Sequence, residues 1–321
     1  MKAPRFGYLR PEKLDDALQR LAEHGDDARI LAGGQSLVPV LNMRLAHPKL
    51  LIDINQIEAL KGISMQNGTV RIGALARHVE VMESPIVAQH LPLIAEAMPQ
   101  VAHVAVRNRG TFGGSVALAD PSAELPACIL ALGARVVLQS TRGRRTVPAD
   151  EFFHGLYETA RGPDELLVEV LVPKQRRDCV SVFMKLSRRH GDFAIAGLAC
   201  CTLIEQERLR ETRLVYFGSE VKPTLARRAM AAVEGQAWST AVGEAACAAL
   251  ADDLEPIDNI FARNRRRSFI SSACSPSAPS PRRWNARVCS DCLPPSCPAT
   301  QPSLRRLRKL VCAAGHPRLS S

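Results

Sequence analysis

Two double-glycine bends about 80 residues apart, Gly33-Gly34 and Gly113-Gly114, constrain this chain more than any other feature. Glycine lets a backbone approach a ligand closely and adopt positive φ. Successive N–H groups in such a bend converge into a concavity that binds anions. The first bend, Ala32-Gly33-Gly34-Gln35-Ser36, follows a short apolar run (residues 28–32) with the length of a strand. Helix-compatible spacing resumes over 37–45. The second bend is Thr111-Phe112-Gly113-Gly114-Ser115. A helix starting just beyond either bend adds roughly 0.3–1 kcal/mol of attraction for an anion. Ser36, Thr111 and Ser115 add hydroxyl donors at the rim. Neither bend reads G-x-G-x-x-G, and neither carries the lysine of a P-loop. The residues alone therefore support an anion or nucleotide site, with a plain turn as the alternative.

Around the bends the chain reads as mixed α and β to about residue 173. Helices are expected over residues 11–24, near 78–82, over 92–104, and over 122–132 with Ser122 as its cap. Strands are expected at 50–54, 70–72, 135–139 and 166–172. From Lys174 the composition shifts. Three long strands rich in Val, Phe and Leu (180–186, 194–204, 209–217) precede two helices (225–234, 239–251). Strands in a run and then helices predict an α+β domain with helices on one face of its sheet. The expected domains are 1–173, 174–260, and a tail, 261–321.

The tail distorts the bulk numbers. Net charge is +10, but residues 263–321 hold twelve Lys and Arg against one acid, Asp291, which leaves the body nearly neutral. That is no electrostatic footprint for a duplex, so no nucleic-acid partner is expected. No run approaches the roughly 18 apolar residues of a membrane span, and residues 1–10 lack the apolar core of a secretory signal. These readings place the chain in the cytoplasm. Five of the ten cysteines (Cys128, Cys179, Cys200, Cys201, Cys247) are scattered through apolar body segments and read as small, reduced, buried hydrophobes.

Four motifs carry a resemblance. Ala32-Gly33-Gly34-Gln35-Ser36-Leu37 with Asn42-Met43-Arg44-Leu45, and Arg107-Asn108-Arg109-Gly110-Thr111-Phe112-Gly113-Gly114-Ser115, resemble the two FAD loops of the carbon monoxide dehydrogenase medium-subunit family. Ala119-Asp120-Pro121-Ser122-Ala123-Glu124-Leu125-Pro126 is similar to the acidic segment after the second loop. Lys185 to Ala194 is similar to the start of that family's C-terminal domain. The resemblance covers residues 1 to about 260 and extends to the FAD portion of xanthine dehydrogenase. It implies an α+β fold: two α/β subdomains of the vanillyl-alcohol oxidase and p-cresol methylhydroxylase type holding an extended FAD, then a C-terminal α+β domain. It implies diphosphate binding by Ala32, Gly33, Gly34, Gln35 and Ser36 and by Thr111, Phe112, Gly113, Gly114 and Ser115. Glu124 is carried over as a contact to the ribityl or ribose hydroxyls, Lys185 as a lysine near the flavin with Asp192 after it, and Leu167 and Phe193 as neighbours of the isoalloxazine. Each has a plainer reading: Glu124 as a helix-start acid, Lys185 as a solvated charge, Asp192 as a turn former with Gly191, Phe193 as core. Arg107 and Arg109 read equally as partners of phosphate or of subunit carboxylates, or as a solvated pair. Phe112 stands where Ile or Leu is usual, and Leu118 where many relatives have His.

The function implied is electron transfer. A molybdopterin-binding large subunit oxidises substrate, a two-cluster iron–sulfur small subunit relays electrons, and FAD here passes them to an external acceptor. The body lacks a cysteine cluster at iron–sulfur spacing, which suits clusters held elsewhere. No residue here is required as a general acid or base. Two alternatives stay open: a stand-alone flavin oxidase, and a non-catalytic remnant that has lost FAD. In the tail, Cys289, Cys292, Cys297 and His316 lack the spacing of a zinc site, and no metal is expected. With 11 Ser and 8 Pro among its last 59 residues, the tail reads as disordered or frameshifted.

Overall fold

The computed structural model describes residues 2–257, and the tail expectations lie outside the described residues. Three main sheets follow one another along the described residues, with a two-stranded sheet (Phe153–Gly155, Glu158–Thr159) beside the second. The first is three-stranded and parallel, ordered Gly7–Leu9, Leu50–Asp53, Ala28–Leu31. The helix Leu14–His24 links Gly7–Leu9 to Ala28–Leu31 and buries Ala17, Leu18 and Leu21, and the crossover that the parallel neighbours Ala28–Leu31 and Leu50–Asp53 need runs through Leu37–Asn42. The central strand is buried at every residue, as expected where both faces are covered.

The second sheet is antiparallel, ordered Ile63–Gln66, Thr69–Gly73, Leu166–Pro173, Arg135–Ser140, Gly143–Pro148. The helical segment 78–131 is inserted between Thr69–Gly73 and Arg135–Ser140. Its innermost helix, Glu124–Ala131, is buried throughout. The single helix expected over 92–104 is three pieces: Pro92–Ala97, a 3-10 turn Met98–Gln100, and Val104–Arg107. Pro99 has no N–H for the i→i−4 ladder, and Ala102, at φ 44°, turns the chain. Ser122 is not a cap either. Its N–H donates to Asp120 Oδ1 at 2.8 Å, and the helix starts after Ala123.

The third sheet, ordered Cys179–Leu186, Ala196–Glu205, Arg208–Phe217, Thr224–Leu225, is antiparallel. One face packs on its own helices Arg227–Val233 and Thr240–Asp253 through Leu198, Cys200 and Leu214. The other face is not open. Phe183, Ala199, Val215 and Phe217 join the core of the second sheet and its helices. Its own helices thus lie on one face as expected, and the covered second face explains the near-continuous apolar strands. Phe183 and Phe217 stack at 5.6 Å. Gly197 lies opposite Phe217 in the register and leaves the ring its space. Arg213 ties the domains at the surface, donating to Leu130 O at 2.8 Å and Asp150 Oδ1 at 2.5 Å. Among the described residues no helix is long and apolar enough to cross a membrane.

Phe217→Ala removes a fully buried ring from the shared core and is expected to destabilise the chain by about 3–5 kcal/mol. Urea unfolding monitored by circular dichroism measures it.

Candidate functional site

The strand Ala28–Leu31 delivers the first bend at its C-terminal end, where parallel sheets place ligands. Gly34 takes φ 71°, the left-handed region that favours glycine. The bend is braced from behind. Asn55 Nδ2 donates to Ala32 O at 2.8 Å and is itself held by Asp53 Oδ1 at 2.6 Å. Tyr8 donates to the other oxygen of Asp53 at 2.5 Å. Gln35 folds back onto Gly33 O at 3.0 Å. Among the described residues, the amide N–H groups of Gly33, Gly34, Gln35 and Ser36 donate to no protein acceptor. Four consecutive uncommitted donors in a part-open bend form an anion cradle.

The second bend is built differently. Thr111 caps the helix Phe112–Leu118, its Oγ1 accepting from Gly114 N at 3.2 Å. Gly113 and Gly114 therefore lie inside the first helical turn rather than ahead of it. Phe112 N donates to Ala76 O and Gly113 N to Ala74 O, both at 2.9 Å. A Cβ on Gly113 would stand 2.6 Å from Ala74 Cα. Gly113 is thus a packing glycine, and its amide is already spent. Phe112 is fully buried. What this bend turns toward the first is backbone: a Cβ on Gly33 would stand 2.8 Å from Gly110 Cα and would overlap Arg109 O. The two bends touch main chain to main chain.

Three residues that the sequence reading passed over fix this contact. Arg77 forks between the bends, one nitrogen donating to Arg109 O and the other to Asn55 Oδ1 at 2.6 Å. A planar guanidinium suits such a two-pronged span. His78 N donates to Gly110 O at 3.0 Å, and His78 Nε2 lies 3.0 Å from Thr111 O, so that nitrogen carries the proton. Burial pushes the imidazole pKa down to about 4, so it is neutral near pH 7. Asn55 and Asp53 offered the one available signal, an acid ending a buried strand. Arg107, expected to face phosphate or solvent, instead donates to Val101 O at 2.9 Å and Ala102 O at 2.7 Å.

The C-terminal domain reaches the same run of chain. Gly191, at φ 84°, abuts Ala102 O and the His103 ring. Lys185 and Glu124 pair at 2.8 Å, with side-chain exposures of only 2% and 9%. Lys185 Nζ also donates to Gln100 O at 2.6 Å and Asp192 O at 3.0 Å. Burial raises the Glu124 pKa, and Lys185 beside it opposes the rise. Lys185 is therefore not a solvated charge. Phe193 stands 70% exposed at the end of this turn, with Val104 62% exposed on the adjoining segment. Asp192 N closes the turn onto Arg189 O at 3.1 Å. Leu167 is 3% exposed, within the core that also holds Phe112 and Val116. Lys185 thus joins Glu124 to the turn at Asp192, which Phe193 follows, while Leu167 lies in the core.

Residues 4–175 match the family described as the FAD binding domain in molybdopterin dehydrogenase, and residues 181–271 the CO dehydrogenase flavoprotein C-terminal domain. Fold and family match define a flavoprotein component of an oxidoreductase, with FAD as its cofactor. More narrowly, the chain belongs to the FAD-binding medium-subunit family of molybdenum hydroxylases. It is 40% identical over 271 residues to the 6-hydroxypseudooxynicotine dehydrogenase complex subunit alpha of Paenarthrobacter nicotinovorans, covering 84% of this chain and 92% of that one. It is 39% identical to the carbon monoxide dehydrogenase medium chain of Hydrogenophaga pseudoflava, covering 81% and 91%. The solved carbon monoxide dehydrogenase from Hydrogenophaga pseudoflava, in a form lacking the Mo-pyranopterin moiety, superposes with a TM-score of 0.79 at 39% identity, covering 81% of this chain and 91% of that chain. Quinoline 2-oxidoreductase from Pseudomonas putida 86 gives 0.76 at 36% identity, covering 81% and 90%.

Gly33→Ala is expected to part the bends and cost at least about tenfold in FAD affinity, or ~1.4 kcal/mol, with circular dichroism unchanged. Flavin absorbance per protein after dialysis reads it. His78 gives a second expectation. Its folded pKa of about 4 lies below the unfolded 6.5, so between these values the unfolded chain binds the extra proton. Stability from this group is intact above pH 6.5 and is lost as pH falls toward 4, by up to roughly 3 kcal/mol. The wild-type slope minus that of His78→Phe, from unfolding across this window, isolates the contribution.

Proposed function

We propose that the chain holds one extended FAD across the two bends and serves as the electron outlet of a molybdenum hydroxylase complex. The observation that carries the reading is the cradle of four uncommitted amides pressed against a second, rigid bend. The fit is favourable. The first bend offers uncommitted backbone donors, and Gly34 holds it in a left-handed φ that a side chain would strain.

In this reading the Ala32–Ser36 amides take the diphosphate. The Thr111 and Ser115 hydroxyls and the bare Gly114 form the opposite wall. Thr111 keeps its O–H free to donate because its oxygen is the acceptor in the cap. Glu124 orients the sugar-chain hydroxyls, while Lys185 fixes Glu124 and the turn at Asp192, so Lys185 positions rather than reacts. Phe193 and Val104 offer apolar surface to the ring, and Leu167 supports it from below. Bound FAD supplies the redox chemistry, and the protein supplies placement and electrostatics. The domains divide at 173/174 in this reading.

The partners are a molybdopterin-binding large subunit and a two-cluster iron–sulfur small subunit, and electrons leave for an external acceptor. Relatives of similar identity carry names as different as caffeine dehydrogenase subunit beta and nicotine 6-hydroxylase medium subunit. The substrate is therefore chosen outside this chain.

The test is flavin bleaching. The chain alone is expected to bind FAD and to keep its colour when substrates of the relatives are added. In the assembled complex, the correct substrate bleaches the flavin anaerobically. Bleaching of the isolated chain would instead make it a stand-alone oxidase, and a chain that ignores added FAD would make it a remnant.

A further inference from the structure

Apart from the cleft, one group of reactive side chains is built with comparable care. In the third sheet Cys179 lies opposite Leu203 and Ser181 opposite Cys201, so Cys179 and Cys201 are diagonal neighbours on one face. Their sulfurs stand 3.8 Å apart. Gln175 Nε2 lies 3.3 Å from each sulfur. That amide is anchored on its far side, Oε1 accepting from Leu93 N at 3.1 Å and the Gln175 main chain donating to His90 O at 2.9 Å. Cys179 is half-buried and Cys201 buried, so access is from the Cys179 side.

We propose that Cys179 and Cys201 form a dithiol modification site that takes low-molecular-weight disulfides of the glutathione class and closes to a reversible intramolecular disulfide. Cys179 is the nucleophile. Once Cys179 is ionised, the Cys201 thiol 3.8 Å away and the Gln175 amide would both donate to its sulfur, which favours the thiolate. Together they bring its pKa down to about 7 against the opposing effects of burial and Asp178. Arg176 faces away, held by Asp178 and Glu205. The neighbouring thiols Cys128 and Cys200 are fully buried, with pKa values pushed up by desolvation and by Glu96 on Pro92–Ala97, and they stay inert.

The chemistry balances in two exchanges. The Cys179 thiolate attacks one sulfur of the incoming disulfide, breaking its S–S bond and releasing one thiolate. Cys201 gives up its proton and attacks Cys179 Sγ, releasing the second. Two protein thiols are oxidised and one small disulfide is reduced to two thiols. Diagonal neighbours sit about 7–8 Å apart at Cα, beyond the usual disulfide span of about 4.4–6.8 Å. Closure therefore draws the strand start toward its neighbour, and the bond is readily reduced again.

The experiment treats the reduced full chain with oxidised glutathione, quenches with acid, and maps thiols by site-resolved mass spectrometry, since five further cysteines follow residue 257. Wild type is expected to give a Cys179–Cys201 cross-link that dithiothreitol reverses. Cys201→Ser is expected to hold a glutathione adduct at Cys179, and Cys179→Ser no adduct at Cys201. Iodoacetamide labelling of Cys179 in the wild type should rise about tenfold from pH ~6 to ~8 and then level off, whereas an ordinary thiol of pKa about 8.5 keeps climbing. That arm needs no variant to fold. A labelling profile like the ordinary thiol, or glutathione adducts without cross-link in the wild type, overturns the proposal.

Discussion

The contact between Gly33 and the Arg109-Gly110 main chain carries the rest of this structure. It joins a bend from a parallel sheet to a bend from the helical insert of an antiparallel one. A side-chain contact at this place could relax by changing rotamer, but backbone against backbone cannot. Its spacing is fixed by the glycine and by the fork of Arg77 across Asn55 and Arg109. A ligand gripped between two such walls meets groups that are already in place, and little ordering cost is left to binding.

The two bends then divide the labour. The first keeps its amides uncommitted and takes its rigidity from behind, through the chain Tyr8, Asp53, Asn55 and Ala32 O. The second spends its amides on Ala74 and Ala76 and is rigid because it is spent. Neutral His78 completes the second wall from a buried position where a charged imidazole would be costly.

The glycines, the strand–bend–helix order and the long apolar strands of the third sheet were legible in the sequence, because glycine conformation and hydrophobic period are local properties. The break of the expected 92–104 helix at Pro99 was legible as well, because a proline lacks the donor that the ladder needs. The unequal roles of Gly33 and Gly113 were not legible. Both sit in Gly-Gly pairs before hydroxyl residues, and only Ala74 and Gly110, distant in sequence, tell them apart. Arg77 and His78 were silent for the same reason: they reach Arg109, Gly110 and Thr111, some thirty residues on. The second covered face of the third sheet was written in Ala196–Glu205, where buried residues run without alternation, but periodicity alone does not say what covers it.

The buried Lys185–Glu124 pair shows where specificity outweighs stability. Two charges removed from water are costly, and apolar replacements of similar volume are often neutral or better. Stability alone does not explain the pair. Lys185 collects three acceptors from three segments: Gln100 from the broken helix, Glu124 from the innermost helix, and Asp192 from the turn that ends in exposed Phe193. An ammonium has three protons and no tolerance for leaving one unmet when buried. Meeting all three demands a single relative position of the two domains, and with it a fixed place for the turn that ends at Phe193. An apolar core of equal volume would hold the domains together as firmly, but it would tolerate a sliding contact that this triad does not.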